Sequence, residues 1–326
     1  MKNGAMHWPC LLAAACLAMP LAGYPQNYPA KPIRVVSNSA SGSPGDIALR
    51  LVAPKVSATL GQPVVVETKG GGGGQIAAQD VMRAGPDGYT LMYSTSMIVT
   101  SKYLLKNVTV DVMRDFVPIS LAARVTNLLA VHSSVPANSL KELVEYSRRN
   151  PAKVSFSSNG IGSSLHLQWI GFMVSTGADM FHVPYGSGNE AIRNNDFLTG
   201  RTSASFIPYS SIRPHLEAGK VKVLAVISDQ RYKRLPDVPA VSEAFPDYKF
   251  SLGFWGFFGP ARIPQPIVAR LSGEIQKALK EPDVIAKLEG IDVEAMGNSP
   301  EAFARLLKTY EATVATLVKT AKLQPQ

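Results

Sequence analysis

Cysteine is almost missing from this chain: of 326 residues only Cys10 and Cys16 carry a thiol. Both fall in an N-terminal stretch that reads as an export leader. Lys2 supplies the positive charge, 11–22 is a short apolar run, and Ala22 and Gly23 offer small residues for cleavage near Gly23. A run of about a dozen residues is too short to span a bilayer, which takes about 20. Cys16, after Ala13, Ala14 and Ala15, admits a second reading as a lipid-anchored cysteine. The apolar run continues past it through Leu17 and Leu21, where a lipoprotein turns polar. If residues 1–23 are removed, the mature chain has no thiol at all. Disulfides, thiolate metal sites and cysteine nucleophiles are then excluded.

Acidic residues are also in short supply, with 24 Asp and Glu against 33 Lys and Arg and a net charge of +9. The basic residues are dispersed, and no Lys/Arg stripe with interleaved aromatics appears, so nucleic acid is not the expected partner. A dispersed positive charge suits a small anionic solute, or it serves solubility alone. No later apolar run approaches membrane-spanning length. The mature histidines, His132, His166, His182 and His215, form no i, i+4 pair and have no carboxylate at metal-ligand spacing. The G-x-S-x-G elbow of serine hydrolases is absent. Neither a metal nor any other cofactor is expected, and no catalytic set is selected.

What the chain does have is alternation of β-branched runs and helical segments. Residues 33–36, 64–66 and 90–93 read as strands, with helices at 46–60 and 75–84 between them. Asp46 stands where a helix N-cap or first-turn acid belongs, and Gly61 closes that helix. A second series follows: strands at 128–131, 154–157, 181–183 and 221–227, and helices at 139–150, 164–175 and 189–198. The chain then crosses back through an aromatic strand at 254–258 to helices at 265–280 and 300–323. Short connections of this order predict parallel α/β sheets. Two crossings, near 118–127 and 248–259, predict two lobes with a cleft between them.

Ser/Gly loops recur at the strand exits. They are Ser39-Ala40-Ser41-Gly42, the glycine run 70–74 ahead of Gln75, Ser94-Thr95-Ser96, and 157–163. The glycine run lacks the Lys-Ser/Thr of a phosphate loop. Without Cβ atoms its backbone can approach a ligand closely, and the next helix start carries partial positive charge. The same run also reads as a flexible surface loop. In open α/β sheets ligands bind beyond the carboxyl ends of strands, where such loops gather. Hydroxyls and peptide N–H groups there suit a carboxylate.

In order along the chain, Tyr28-Pro29-Ala30-Lys31-Pro32-Ile33-Arg34, Leu60-Gly61-Gln62-Pro63-Val64-Val65-Val66-Glu67, Pro86-Asp87-Gly88-Tyr89-Thr90-Leu91 and Asp115-Phe116-Val117-Pro118-Ile119-Ser120 form a recognisable set. His182-Val183-Pro184-Tyr185, Pro214-His215-Leu216-Glu217-Ala218-Gly219-Lys220 and Leu235-Pro236-Asp237-Val238-Pro239 continue it. With these stretches the chain resembles the tripartite tricarboxylate transporter substrate-binding receptors, also called Bug proteins, from about residue 28 to 323. The resemblance implies an α/β, two-lobed periplasmic-binding-protein-like fold of type II with a ligand cleft between the lobes. One lobe is expected from 24–126 and 252–326, the other from 127–251. It further implies a periplasmic, monomeric receptor, not an enzyme, that closes on a small carboxylate and delivers it to membrane permease subunits. A receptor that signals to a sensor protein is the alternative, and an exported enzyme of similar fold a more distant one.

Such receptors hold the ligand carboxylate through backbone amides and bridging waters in the first strand-to-helix loop. By position, the resemblance assigns ligand contacts to Ser39, Ser41, Gly42, Asp46, Gly73, Gln75, Thr95 and Ser96. In the second lobe it assigns them to Ser158, Asn159, Ser163, His166 and Tyr185. Three departures stand out. The first loop is serine-rich and one residue longer than usual, Gln75 replaces an asparagine, and an aspartate common in the second lobe is replaced near Ile207. Losing that acid removes a partner for a ligand ammonium or hydroxyl group. A non-amino dicarboxylate or aromatic carboxylate is therefore expected over an amino acid.

Overall fold

The computed structural model describes residues 28–325 except 187–188 and 249–252. The leader read at 1–23, with Cys10 and Cys16, lies outside the described residues. Among those described, no helix is long and apolar enough to cross a membrane.

The first sheet begins with β1 (Ile33–Ser37), α1 (Pro44–Leu60), β2 (Val64–Thr68), α2 (Gln75–Ala84) and β3 (Thr90–Thr95). Then come α3 (Met97–Leu104), α4 (Val112–Asp115) and β4 (Phe116–Val125). The chain passes through β5 (Leu128–His132), α5 (Leu140–Arg149), β6 (Ser155–Ser158), α6 (Ser164–Thr176) and β7 (Phe181–Pro184). It continues through α7 (Glu190–Leu198), β8 (Ala204–Ile207), α8 (Tyr209–Glu217), β9 (Val221–Val226) and α9 (Val241–Ala244). It closes with β10 (Phe254–Pro260), α10 (Gln265–Leu279), α11 (Pro282–Gly290), β11 (Val293–Ala295) and α12 (Pro300–Thr320).

Six strands form one sheet in the order β11-β4-β10-β3-β1-β2, and five form the other in the order β7-β6-β8-β5-β9. The expectation of parallel sheets needs correction, because both are mixed. β1, β2 and β3 run parallel, but β10 is antiparallel to β3 and β4, and β11 is antiparallel to β4. In the second sheet β6 is parallel to β7 and β8, whereas β5 is antiparallel to β8 and β9. The reason is topological. The outgoing β4 and returning β10 are themselves sheet strands, lying side by side rather than as bare connections.

Local chemistry sets the element ends that matter. Ser43 caps α1 with its hydroxyl accepting from the Asp46 N–H, and Pro44 occupies the first turn, where its missing N–H costs nothing. Gly61 closes α1 in the left-handed conformation at φ 69°, which a residue with a Cβ resists. Ser139 and Ser163 cap α5 and α6 in the same manner.

Strand alternation sorts the core. Ile33 and Val35 point to a cluster with α1, α10 and α11, while Val36 points to the opposite face under α2, α3 and α12. That second cluster runs on without a break into the α5–α6 face of the other sheet, through Phe156, Trp169 and Phe206. The stripe of Phe303, Leu307 and Tyr310 on α12 is buried in it, as its spacing predicts, with Leu306 partly buried alongside. The outer face of the second sheet packs Phe197 of α7 and Ile212 of α8 in a small separate cluster.

Candidate functional site

The carboxyl ends of β1, β2 and β3 bring the first lobe's loops together around Asn38. Its N–H continues the β1–β3 ladder to the Tyr93 carbonyl at 3.2 Å, and its Oδ1 accepts from the Thr95 N–H at 3.0 Å. The Asn38 side chain also lies where a Cβ on Gly74 would sit, so the glycine run closes against it. Loop by loop, Ser39, the 70–74 run and Thr95 therefore share one neighbourhood. Asn38 was not selected from the sequence; a polar residue one step past a strand end is a weak signal by itself.

Within this neighbourhood the expected contacts divide. Ser39 is buried, donates its N–H to Ser37 Oγ at 3.1 Å, and leaves its own Oγ buried without a partner. Thr95 Oγ1 is likewise buried and unpartnered. An unmade hydrogen bond on a buried hydroxyl costs about 1–3 kcal/mol, so these are groups that a ligand oxygen would satisfy. Ser41 and Gly42 form an exposed turn above them, closed by the Ser43 N–H donating to the Ala40 carbonyl at 3.0 Å. Asp46 turns back on its own helix. It accepts from the Gly42 N–H at 3.0 Å and from Arg50 Nε at 2.9 Å. Burial works against its charge, but Arg50 and the Gly42 amide hold the carboxyl below its ordinary value. Asp46 thus builds the loop.

Gly73 sits in a tight turn at φ 61°, backed by Ser101 and Leu105 of the following segment. The Gln75 carboxamide is fully committed. It donates to the Val110 carbonyl at 2.9 Å and to Ser101 Oγ at 3.1 Å, and accepts from the Val110 N–H at 3.0 Å. Its side chain clips the segment ahead of α4, a structural duty.

Ser96 begins α3 with its side chain free of any capping bond, and its N–H donates to the Phe254 carbonyl at 2.9 Å. Its Oγ lies 3.4 Å from Ser164 Oγ, at the start of α6 in the other sheet's half of the chain. Next to this pair, a Cβ at Gly162 would stand 2.8 Å from Leu104 Cδ1 of α3, and one at Gly253 would touch Ser164 at 3.5 Å. The loops at the strand exits of the two sheets therefore meet, with two helix N-termini, each carrying partial positive charge, face to face. Trp255 on β10, paired with Thr95, covers the first turn of α1 so closely that Gly45 has no room for a side chain.

On the second sheet the 158–163 loop is locked by side chains. Ser158 is fully buried; its Oγ accepts from the Gly160 N–H at 3.1 Å and lies 2.6 Å from His182 Nε2. Ser163 caps α6 by accepting from the His166 N–H at 3.2 Å. His166 Nδ1 accepts from the Gly162 N–H at 3.0 Å, which fixes this nitrogen as unprotonated. The His166 ring stacks on His182 at 4.0 Å between centroids, and His182 stacks on Phe156 at 4.9 Å. Burial, and for His166 also its histidine neighbour, pushes both imidazoles down to about 4. Both are neutral at pH 7. A nucleophile–base–carboxylate arrangement does not form here. Among the described residues no carboxylate is hydrogen-bonded to either ring, and Ser158 Oγ is held inside a backbone turn.

Asn159 donates to Glu190 Oε1 at 3.2 Å, with its own Oδ1 buried and unpartnered. Tyr185 donates its N–H to the Ser158 carbonyl at 2.9 Å and its hydroxyl to Asp196 at 2.7 Å. Its phenol points to α7, and burial with Asp196 raises it to about 12. The enclosed apolar void among Ile33, Val52, Leu91 and Ile275 and the shallow groove beside Pro54 and Gly61 both lie away from these loops.

Residues 48–323 match the family described as "Tripartite tricarboxylate transporter family receptor". The chain is 33% identical over 283 residues to the UPF0065 protein in the tcbD-tcbE intergenic region of Pseudomonas sp. (strain P51), covering 86% of this chain and 84% of that one. A solved structure described as R. palustris Rpa4515 with adipate superposes with a TM-score of 0.77 at 30% identity, over 92% of this chain and 100% of that one. The periplasmic binding protein BugD superposes with a TM-score of 0.72 at 32% identity, over 92% and 100%. With the two-sheet architecture and the facing strand-end loops, these matches make the chain a member of the tripartite tricarboxylate transporter receptor family.

Proposed function

We propose that the chain is an exported solute receptor that captures a small carboxylate between two lobes and presents it to the membrane subunits of a tripartite tricarboxylate-type transporter. In this reading residues 1–23 are the leader, removed near Gly23, and the mature protein works as a periplasmic monomer. Residues 24–126 with 252–326 form one lobe and 127–251 the other. Sheet membership supports that division, since β1–β4, β10 and β11 belong to one sheet and β5–β9 to the other. The observation that carries the reading is the pair of buried, unpartnered hydroxyls, Ser39 Oγ and Thr95 Oγ1, at strand exits whose neighbour Ser96 lies 3.4 Å from Ser164 of the facing lobe.

The chemical class follows from what lines these loops. Hydroxyls and helix starts favour a carboxylate, and the excess of basic residues attracts an anion over distance. β8 ends in the apolar Ile207 followed by Pro208, which offer no side-chain acceptor to a ligand ammonium group. The family relative that holds adipate supports a non-amino dicarboxylate. The test is a thermal-shift screen of the mature chain against mono-, di- and aromatic carboxylates. Ligand at a hundredfold its Kd adds about 2.7 kcal/mol to stability. The expected result is a saturable rise in Tm with a subset of carboxylates, whereas no shift across the whole panel overturns the proposal.

A further inference from the structure

Arg193, in the second turn of α7, is 4% exposed and forms no ion pair among the described residues. Its NH1 donates only to neutral acceptors, Ser205 Oγ at 3.3 Å and the Phe206 carbonyl at 3.4 Å, and its Nε is buried with no acceptor. The two acids of α7 are engaged elsewhere. Glu190 receives the Asn159 amide, and Asp196 receives Arg201 and the Tyr185 hydroxyl. A guanidinium keeps its proton, so a full positive charge stands desolvated with no acid in contact, Glu190 of the same helix attracting it only through space. Such a charge is strongly unfavourable unless an anion completes it.

Its position tells which anion. Phe206 is the last residue but one of β8, and β8 runs parallel to β6, whose carboxyl end carries Ser158 and Asn159. The guanidinium therefore lies one residue below the strand edge that the second lobe turns toward Ser96 and Leu104. Resting on the receptor reading above, we propose that Arg193 is the second lobe's specificity-determining cation, which takes one carboxylate of the solute while the Ser39 and Thr95 hydroxyls take another. The preferred solute class is then a dicarboxylate, bound at its two ends by the two lobes.

The experiment is calorimetric titration of the mature wild type, Arg193→Met and Arg193→Lys with straight-chain dicarboxylates from succinate to suberate, and with monocarboxylates of equal length. Urea midpoints of the ligand-free proteins are measured in parallel. Arg193→Met is expected to weaken dicarboxylates by about thirtyfold or more and monocarboxylates by less than about threefold. Its free form should be as stable as wild type or more so, because a desolvated charge with no acid in contact has gone. Arg193→Lys, a point charge without the planar fork, should fall between. Equal weakening of both ligand series, no weakening of either, or a destabilised ligand-free Arg193→Met would each overturn the assignment. Wild type that binds no carboxylate at all overturns the receptor reading itself, a result distinct from those three.

Discussion

The imidazoles of His166 and His182 help hold the second lobe's loop, His166 through the Gly162 N–H and His182 beside Ser158 Oγ. Protonating His166 Nδ1 removes the acceptor that holds the Gly162 N–H, and charging both rings would set two cations 4.0 Å apart. In the unfolded chain each imidazole takes its proton near pH 6.5, and in the folded chain only near about 4. Between those values the unfolded state binds more protons, so stability falls as pH falls. Above about 6.5 the contribution is fully present. Urea midpoints recorded from pH 8 to 4 should therefore be flat at the upper end and decline below about 6.5. His166→Gln should flatten the decline, since it keeps an acceptor without a titrating proton. A profile with the wild-type slope in that variant would contradict the role given to His166.

At the scale of elements, the start of α6 carries the argument. Ser163 supplies the cap, and the N–H groups behind it give the loop its positive character. Ser163→Ala should cost about 1 kcal/mol of stability, read from urea unfolding. Ser163→Asp keeps an acceptor and should restore that stability, yet it places a negative charge beside the proposed ligand. A carboxylate should bind it more weakly than wild type. Undiminished affinity in Ser163→Asp would remove the α6 start from the site.

The elements also show what could be read beforehand. α1, α2 and α5 were legible to within a residue or two because their caps are chemical: Ser or Gly at the right place beside an apolar stripe. The sequence reads only as a chain crossing near 118–127, where the structure has the strand β4. In the structure Pro118 faces Phe258 at an irregularity in the β4–β10 pairing, where the missing N–H is tolerated. α3 escaped notice since Met97–Leu104 buries the polar Thr100 and Ser101 along with Ile98, Val99 and Leu104, so its apolar residues alone show no helical period. α8 was hidden by Pro214 and β11 by its three-residue length. Of the expected contacts, Ser39, Thr95 and Ser96 lie at the strand exits, while the side chains of Asp46, Gln75 and Tyr185 are engaged by Arg50, the segment before α4 and α7. Residue type alone could not separate a polar group awaiting a ligand from one already satisfied. Asn38 and Arg193 were missed for the converse reason: their importance lies in partners that only the fold supplies.

At the scale of the whole molecule, one apolar cluster runs from beneath the first sheet, through α12 and α6, into the second. The facing loops of the two sheets are thereby anchored on one shared core. The central claim is that buried hydroxyls at the first lobe's strand exits are unsatisfied until a solute carboxylate reaches them. Ser39→Ala and Thr95→Val, alone and together, remove those hydroxyls with little change of volume. Isothermal titration of the wild type and the double variant with the carboxylate giving the largest thermal shift tests this directly. The account predicts that the ligand-free double variant is no less stable than wild type, while its affinity falls at least tenfold. Unchanged affinity, with both proteins binding alike, would contradict it.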